Sequence, residues 1–385
     1  MKPFRIEIAD SVLADLAGRL DRVIWPPEPD GAGWIYGANR DYMRRLVAYW
    51  RDGYDWRAWE EVLNRFPQYL VPISDPDYGE LEIHVQVEPG SGPSPLPLVI
   101  THGWPGSIFE FHKIVERLAH PERFGGDVAD AFTVICPSLP GYGFSRGLSK
   151  PIGPRGTARL WRRLMVERLG YPGFFAQGGD WGSVVTAWLG IDHPDVVRAI
   201  HLNMVPLRPD LAEGTRPDAD EQRWIARTKR RMAREGGYLA QQSTKPQTLA
   251  FAMADSPVGL AAWITEKWHG WPGAAADRDP SLPMDEILTN IMIYWVTGSF
   301  PTSTWFYWAA AQNDEFRMGP GQRVTPPTAF FLPAYDLVPP PPDSWLHRGY
   351  NVVRRVDTPE GGHFAAMDQP EALSADIHQF FRAYR

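Results

Sequence analysis

Phe174-Phe175-Ala176-Gln177-Gly178-Gly179-Asp180-Trp181-Gly182-Ser183-Val184-Val185-Thr186-Ala187-Trp188 is the stretch from which the rest of the chain is read. Phe174 to Ala176 is a short apolar run, which predicts a buried strand. From Val184 to Leu189 the pattern turns helical, and glycines stand on both sides of Asp180 between the two. Strand, Gly-flanked turn and helix is the context that presents a catalytic nucleophile at the tip of a sharp, strained turn. The familiar form is G-x-S-x-G, whereas Gly178-Gly179-Asp180-Trp181-Gly182 puts a carboxylate at the tip. Glycine is needed there because a Cβ would meet the strand or the helix that the turn joins. Asp is also a favoured helix cap, so on this stretch alone a capping role for Asp180 stands beside the catalytic one.

Composition narrows the function classes. The 385 residues, 44% hydrophobic and 22% charged, are those of a globular chain with ample material for a large core. Seventeen tryptophans point to an aromatic-lined cavity. The formal charge is −7 and no basic block stands out, so nucleic acid is not an expected partner. A single cysteine, Cys136, excludes an intrachain disulfide and reads as an inert core residue. The first twenty residues carry no apolar signal segment, and no run of 18 apolar residues occurs, so no membrane span is expected and the protein is read as cytoplasmic. No metal-ligand cluster or dinucleotide fingerprint appears, and neither a metal nor a cofactor is expected.

Three regions follow from the patterning. Residues 1–90 read as a helical extension packed on the body, with amphipathic segments at Ser11 to Leu20, Asp41 to Trp50 and Trp56 to Phe66, then a strand at Leu81 to Val87. Residues 91–206 and 326–385 alternate strands and helices. Strands are expected at Leu98 to Thr101, Phe132 to Cys136, Phe174 to Ala176, Val197 to Leu202, Ala329 to Leu332 and Tyr350 to Val356. Helices are expected at Phe109 to Leu118, Thr157 to Leu169 and Pro370 to Tyr384. This alternation predicts an α/β fold with a mostly parallel sheet covered on both faces. Between the two halves, residues 207–325 lose the strand signal and read as an inserted helical cap.

A carboxylate nucleophile needs a base to activate water, a group to orient that base, and donors for the oxyanion. His363, in Gly361-Gly362-His363-Phe364 after the last strand, is the candidate base; a stray loop histidine is the bland alternative. The acid is expected after the penultimate strand, where Asp336 stands; alternatively it only opens the turn into the proline run at Pro339 to Pro342. Asp357 and Glu360 are nearer to His363 in sequence, but read as following the last strand. The oxyanion donors should be the amide of Trp181, after the nucleophile, and that of Trp104 in His102-Gly103-Trp104-Pro105. Pro105 has no N–H to give, and its bond to Trp104 is a candidate for the cis form.

The sequences HGWPGS (102–107), PGYGFS (140–145), GGDWGS (178–183) and GGHFAAMDQP (361–370), together with Trp50 to Tyr69, resemble epoxide hydrolases of the α/β-hydrolase superfamily, in the microsomal-type branch and of the soluble bacterial type. The resemblance runs over nearly the whole chain. It implies an α/β-hydrolase fold and a two-step hydrolysis of a small-molecule epoxide, of the detoxifying kind. Asp180 would form a hydroxyalkyl ester, and water activated by His363 would release a diol. It also implies two cap tyrosines that donate to the epoxide oxygen, and Tyr238 and Tyr307 match those positions. Other tyrosines, such as Tyr294, are then packing residues. In this branch the acid is often Glu, and here the candidate is Asp336 with an apparent extra proline nearby. The rival reading is a haloalkane or haloacid dehalogenase with the same Asp nucleophile, in which Trp104 and Trp181 hold a halide. The oligomeric state, a homo-oligomer included, is left open by the sequence.

Overall fold

The computed structural model describes residues 1–211 and 215–385. The sheet is built from β1 (Lys2–Phe4), β2 (Gln68–Asp75), β3 (Gly79–Glu88), β4 (Leu96–Thr101), β5 (Phe132–Pro137), β6 (Phe174–Gly178), β7 (Val197–Leu202), β8 (Val324–Tyr335) and β9 (Tyr350–Gly362). Their spatial order is β1-β2-β3-β5-β4-β6-β7-β8-β9. The pairings from β5 through β4, β6, β7 and β8 to β9 are parallel, and β1, β2 and β3 are added antiparallel at one edge. The central strands are buried on both faces, as their unbroken apolar runs require. Cys136 lies buried within β5. This is an α/β-hydrolase fold, with β6 and its elbow near the middle of the sheet.

The stretch read as a helical extension does supply helices at Asp10–Leu20, Arg40–Asp52 and Trp56–Leu63. Asn39 and Asp55 cap the second and third, each accepting backbone N–H bonds of the first turn. The same stretch also contributes β1, β2 and β3 to the sheet, so its chain is part of the central layer and not only a cover over it. Pro72 lies inside β2, the type of residue that demotes a strand on paper, while β1 is a three-residue edge strand. β8 and β9 are longer than their apolar cores. Prolines 326, 327 and 333 are accommodated in β8 where its register against β9 shifts.

Two expected helices are broken. In place of Phe109 to Leu118 the chain makes a 3₁₀ turn, Ile108–Phe111, and a short helix, Val115–Ala119. In place of Thr157 to Leu169 a helix, Pro154–Arg162, passes into a π turn, Arg163–Arg168. Among the described residues, the segment between β7 and β8 is helical wherever it is regular, apart from an isolated bridge between Arg208 and Arg317: Ala219–Glu235, Gly237–Thr244, Pro246–Asp255, Pro257–Gly270, Met284–Thr297 and Phe300–Gln312. Asp218 and Glu221 form a capping box on the first of these. The extension leans on Met284–Thr297 through Tyr49 Oη to Asp285 (2.9 Å), Tyr54 Oη to Thr289 Oγ1 (2.9 Å) and the Trp50 indole N–H to Met292 Sδ (3.3 Å). Among the described residues no helix is long and apolar enough to cross a membrane.

Gly182 shows how tightly the elbow is seated. A Cβ built there would lie 1.7 Å from the carbonyl oxygen of Thr101, at the end of β4. That obstacle is backbone, so the elbow helix itself would have to move. Gly182→Ala is therefore expected to destabilise the fold by about 1–3 kcal/mol through overpacking. The expected observation is a lowered unfolding temperature in scanning calorimetry; an unchanged transition would show that β4 and the elbow can separate freely.

Candidate active site

Asp180 stands between β6 and the helix Asp180–Asp192 with φ +46°, in the left-handed region where a non-glycine residue is strained by about 1–3 kcal/mol. Gly179 is the N-cap, and no side chain caps this helix. The capping alternative for Asp180 is thereby set aside. Its carboxylate instead turns toward the loop after β4, where Oδ1 accepts the backbone N–H of Trp104 at 2.8 Å. Gly103 permits the approach: a Cβ there would sit 2.2 Å from Asp180 Oδ1.

The loop 102–107 is clamped from the cap side. Asn290 Nδ2 donates to the Pro105 carbonyl (2.6 Å), Ser107 Oγ donates to Asn290 Oδ1 (2.9 Å), and Tyr294 Oη donates to the Gly106 carbonyl (2.7 Å). Tyr294 is thus more than packing. It joins Asn290 in fixing the loop that carries the Trp104 amide, and neither role was visible in the sequence, because the helix Met284–Thr297 reads only as apolar. The Trp104–Pro105 peptide bond is cis. The Trp181 amide, the second expected donor, makes no bond to Asp180 in this resting arrangement. A donor set for an oxyanion is placed where the tetrahedral oxygen will be, not where the resting carboxylate lies.

His363 follows β9 directly, and Asp336 follows β8 directly. His363 Nδ1 lies 2.6 Å from Asp336 Oδ1, and Nε2 lies 3.2 Å from Asp180 Oδ2. Asp336 Oδ1 also accepts the Leu337 N–H at 2.5 Å. All three elements end at the same edge of the parallel sheet, which is why residues far apart in sequence converge. Burial works against a charged imidazole here, but the carboxylates of Asp336 and Asp180 outweigh it and lift His363 to about 10. In the resting state it is an imidazolium held between two carboxylates. Asp357 and Glu360 lie within β9, not after it. Asp357 is paired with Arg355 at 2.7 Å.

Across the site, Tyr238 and Tyr307 are both buried, with ring centroids 5.8 Å apart. Both rings pack on Trp104, Tyr238 parallel at 5.2 Å and Tyr307 edge-on at 5.8 Å. Burial first, and then neighbouring charge that includes Asp180, pushes both phenols well above the ordinary tyrosine range. Each therefore keeps its proton at neutral pH and can donate it. Asp180, Trp181, Tyr238 and Tyr307 line one cavity of about 710 Å³, whose walls include Val184, Met204, Met232, Leu239 and Phe316. An apolar chamber with a few convergent polar groups is the usual form of a small-molecule site.

One further carboxylate, not singled out in the sequence, lies beside the 102–107 loop. Glu110 lies in the 3₁₀ turn after the loop, with Oε1 in the space that a Cβ on Gly106 would fill. Burial and the charge of Asp180 push it up to about 8. It is therefore mostly neutral at pH 7 and adds little negative charge beside Asp180. Among the described residues, no group of three or more His, Cys, Asp or Glu is placed to hold a metal ion.

Comparison with known proteins agrees with this geometry. Residues 1–111 match the family model described as "Epoxide hydrolase N terminus", and residues 97–370 match "alpha/beta hydrolase fold". The chain is 35% identical to "Epoxide hydrolase 1" of Oryctolagus cuniculus, covering 99% of this chain and 88% of that protein. The solved structure of the Aspergillus niger epoxide hydrolase superposes with a TM-score of 0.85 at 32% identity, over 100% of this chain and 96% of that one. The juvenile hormone epoxide hydrolase of Bombyx mori does so at 0.83 and 27% identity, over 100% and 94%. With its elbow, its cap and its full-length similarity to these proteins, the chain belongs to the epoxide hydrolases of the alpha/beta hydrolase fold.

Proposed function

We propose that this protein converts an epoxide and water to a vicinal diol through a covalent hydroxyalkyl ester on Asp180. The observation that carries the reading is the placement of a carboxylate and two neutral phenols around one apolar cavity, with an imidazole and its acid behind the carboxylate. Asp180 Oδ1 stays with the Trp104 amide and becomes the ester carbonyl oxygen, while Oδ2 attacks an epoxide carbon. The carbon–oxygen bond of the epoxide breaks toward its oxygen, which takes a hydrogen from Tyr238 or Tyr307. The imidazolium of His363 makes up the proton that the phenol has given. Esterification also removes the charge of Asp180, one of the two carboxylates that hold the proton on His363. His363 then becomes a neutral base and activates water against the ester, and the Trp104 and Trp181 amides serve the oxyanion.

The test is one turnover in ¹⁸O-water with enzyme in excess. Label should enter Asp180, and the first diol should carry unlabelled oxygen; label appearing directly in the diol would refute the ester. Asp336→Asn should slow ester hydrolysis more than ester formation, because Asp336 acts only through His363, and pre-steady-state kinetics separate the two steps. Equal slowing of both would remove Asp336 from that role.

The dehalogenase reading has one observation in its favour: the indole nitrogens of Trp104 and Trp181 are buried without a partner. The phenol pair favours epoxides, since a departing halide needs no proton donor. Halide release from a haloalkane panel, with no turnover of aryl, alkyl or terpene epoxides, would reverse the order. We place the protein in the cytoplasm, a reading that cell fractionation tests directly.

A further inference from the structure

Tyr238 has a neighbour that the mechanism above does not use. Lys267, on the cap helix Pro257–Gly270, is only 5% exposed. Its Nζ lies 4.9 Å from the centroid of the Tyr238 ring and 5.8 Å from that of Trp263. Its carboxylate partner is Glu266, the adjacent residue on the helix. The ammonium touches the Glu266 carboxylate and also sits over the ring, so it faces Tyr238 as the cationic member of an ion pair. Lys267 lines a groove on the outer side of Tyr238, whereas the substrate cavity, which Tyr238 also lines, does not include it. That groove also includes Asp336, so a separate readout of ester formation and ester hydrolysis is what distinguishes action on the tyrosine from action on the acid behind His363. The plane of that ring is set by Trp104, which lies parallel to it.

We propose that Lys267 is a positioning residue for the ring-opening step: its ammonium, lodged over the ring of Tyr238, stabilises the negative charge that the phenol takes on as it gives its hydrogen to the epoxide oxygen. A phenol ring becomes more electron-rich as its O–H bond stretches toward the acceptor. A cation within about 6 Å of the ring centroid is attracted to that density, and more strongly where water is excluded. Burial and the charges of Asp180, Asp336 and Glu266 all oppose loss of the phenol proton. The hydrogen bond to Tyr307 works the other way, and Lys267, a buried cation 4.9 Å from the ring centroid, is placed to do so as well. The inference rests on the reading of Tyr238 as a donor, and the experiment below tests that reading separately.

The experiment is stopped-flow tryptophan fluorescence with styrene oxide as the probe, which resolves ester formation from ester hydrolysis. Lys267→Met should slow ester formation by about 3- to 30-fold, spanning exposed to desolvated cation–π contacts, and leave the hydrolysis rate constant unchanged. Lys267→Arg keeps a cation over the ring and should restore most of the rate. In a Tyr238→Phe background the Lys267→Met change should have no further effect, because no proton then leaves the ring. Unchanged ester formation in Lys267→Met would overturn the proposal. So would equal slowing of both steps, equal slowing with Tyr238→Phe in place, or failure of Lys267→Arg to recover. If Tyr238→Phe alone leaves ester formation at full rate, the donor reading falls and this inference falls with it. A Lys267→Met protein that does not fold leaves Lys267→Arg against the parent, alone and with Tyr238→Phe, to decide: loss of ester formation in Lys267→Arg refutes the proposal.

Discussion

His363→Gln is expected to accumulate a covalent adduct on Asp180. The substitution removes the base for the second step and leaves the nucleophile in place. Asp180 is held by the Trp104 amide and not by His363 alone, so it keeps its aim. A carboxylate is ionised at neutral pH and needs no base to attack. Loss of a general base costs about 10²–10⁴ in rate, and here the whole of that loss falls on ester hydrolysis. The imidazolium no longer supplies the proton that the phenol gives up, so ester formation slows too, but far less. Intact-protein mass spectrometry after incubation with styrene oxide should show the mass of one substrate molecule added, and peptide mapping should place it on Asp180. Adduct on another carboxylate would keep the ester mechanism and remove Asp180 from the elbow role. Absence of any adduct, with diol still formed, would point to direct attack by water.

The second large effect is expected from the tyrosine pair. Tyr238→Phe and Tyr307→Phe each delete one donor to the developing alkoxide and keep the ring that packs on Trp104. Removal of a principal oxyanion donor costs on the order of 10²–10³ in rate. With two phenols facing the same cavity, each single change should cost less, and the double variant should lose on the order of 10³ or more in ester formation. Ester hydrolysis should be nearly untouched, since the phenols act on the leaving oxygen and not on the ester carbonyl. Full ester formation in the double variant on every accepted epoxide would show that the cap supplies no donor.

The elbow was legible because its turn admits few residues. Strand, glycines and helix in register leave one position for a side chain to project, and Asp180 occupies it. The parallel part of the sheet was legible for a similar reason: β4, β5, β6 and β7 are buried on both faces and appear as unbroken apolar runs. Of the antiparallel edge only β3 was legible, as the alternation from Leu81 to Val87. β2 carries Pro72 and pairs with β3, β1 is only three residues long and pairs with β2, and both owe their place to the neighbouring strand rather than to local preference.

Chain order by itself determined which residue types were available for the chemistry: one Asp at an elbow, one His after the last strand, and an acid near the end of the strand before it. Strand order also favoured Asp336 over Asp357 and Glu360, and tertiary structure supplies the reason that it is the one that meets the imidazole. β9 runs on to Gly362, so Asp357 and Glu360 are fixed along a strand and Asp357 turns to Arg355. β8 ends at Tyr335 and delivers Asp336 to His363 Nδ1 at 2.6 Å. It also decided the roles of Asn290, Tyr294, Glu110 and Lys267, whose partners are distant in the chain or lie across a ring face. No periodicity marks them, because hydrophobic spacing records which face of an element is buried, whereas a hydrogen bond, a raised pKa or a cation over an aromatic ring depends on what the neighbouring element brings to that face.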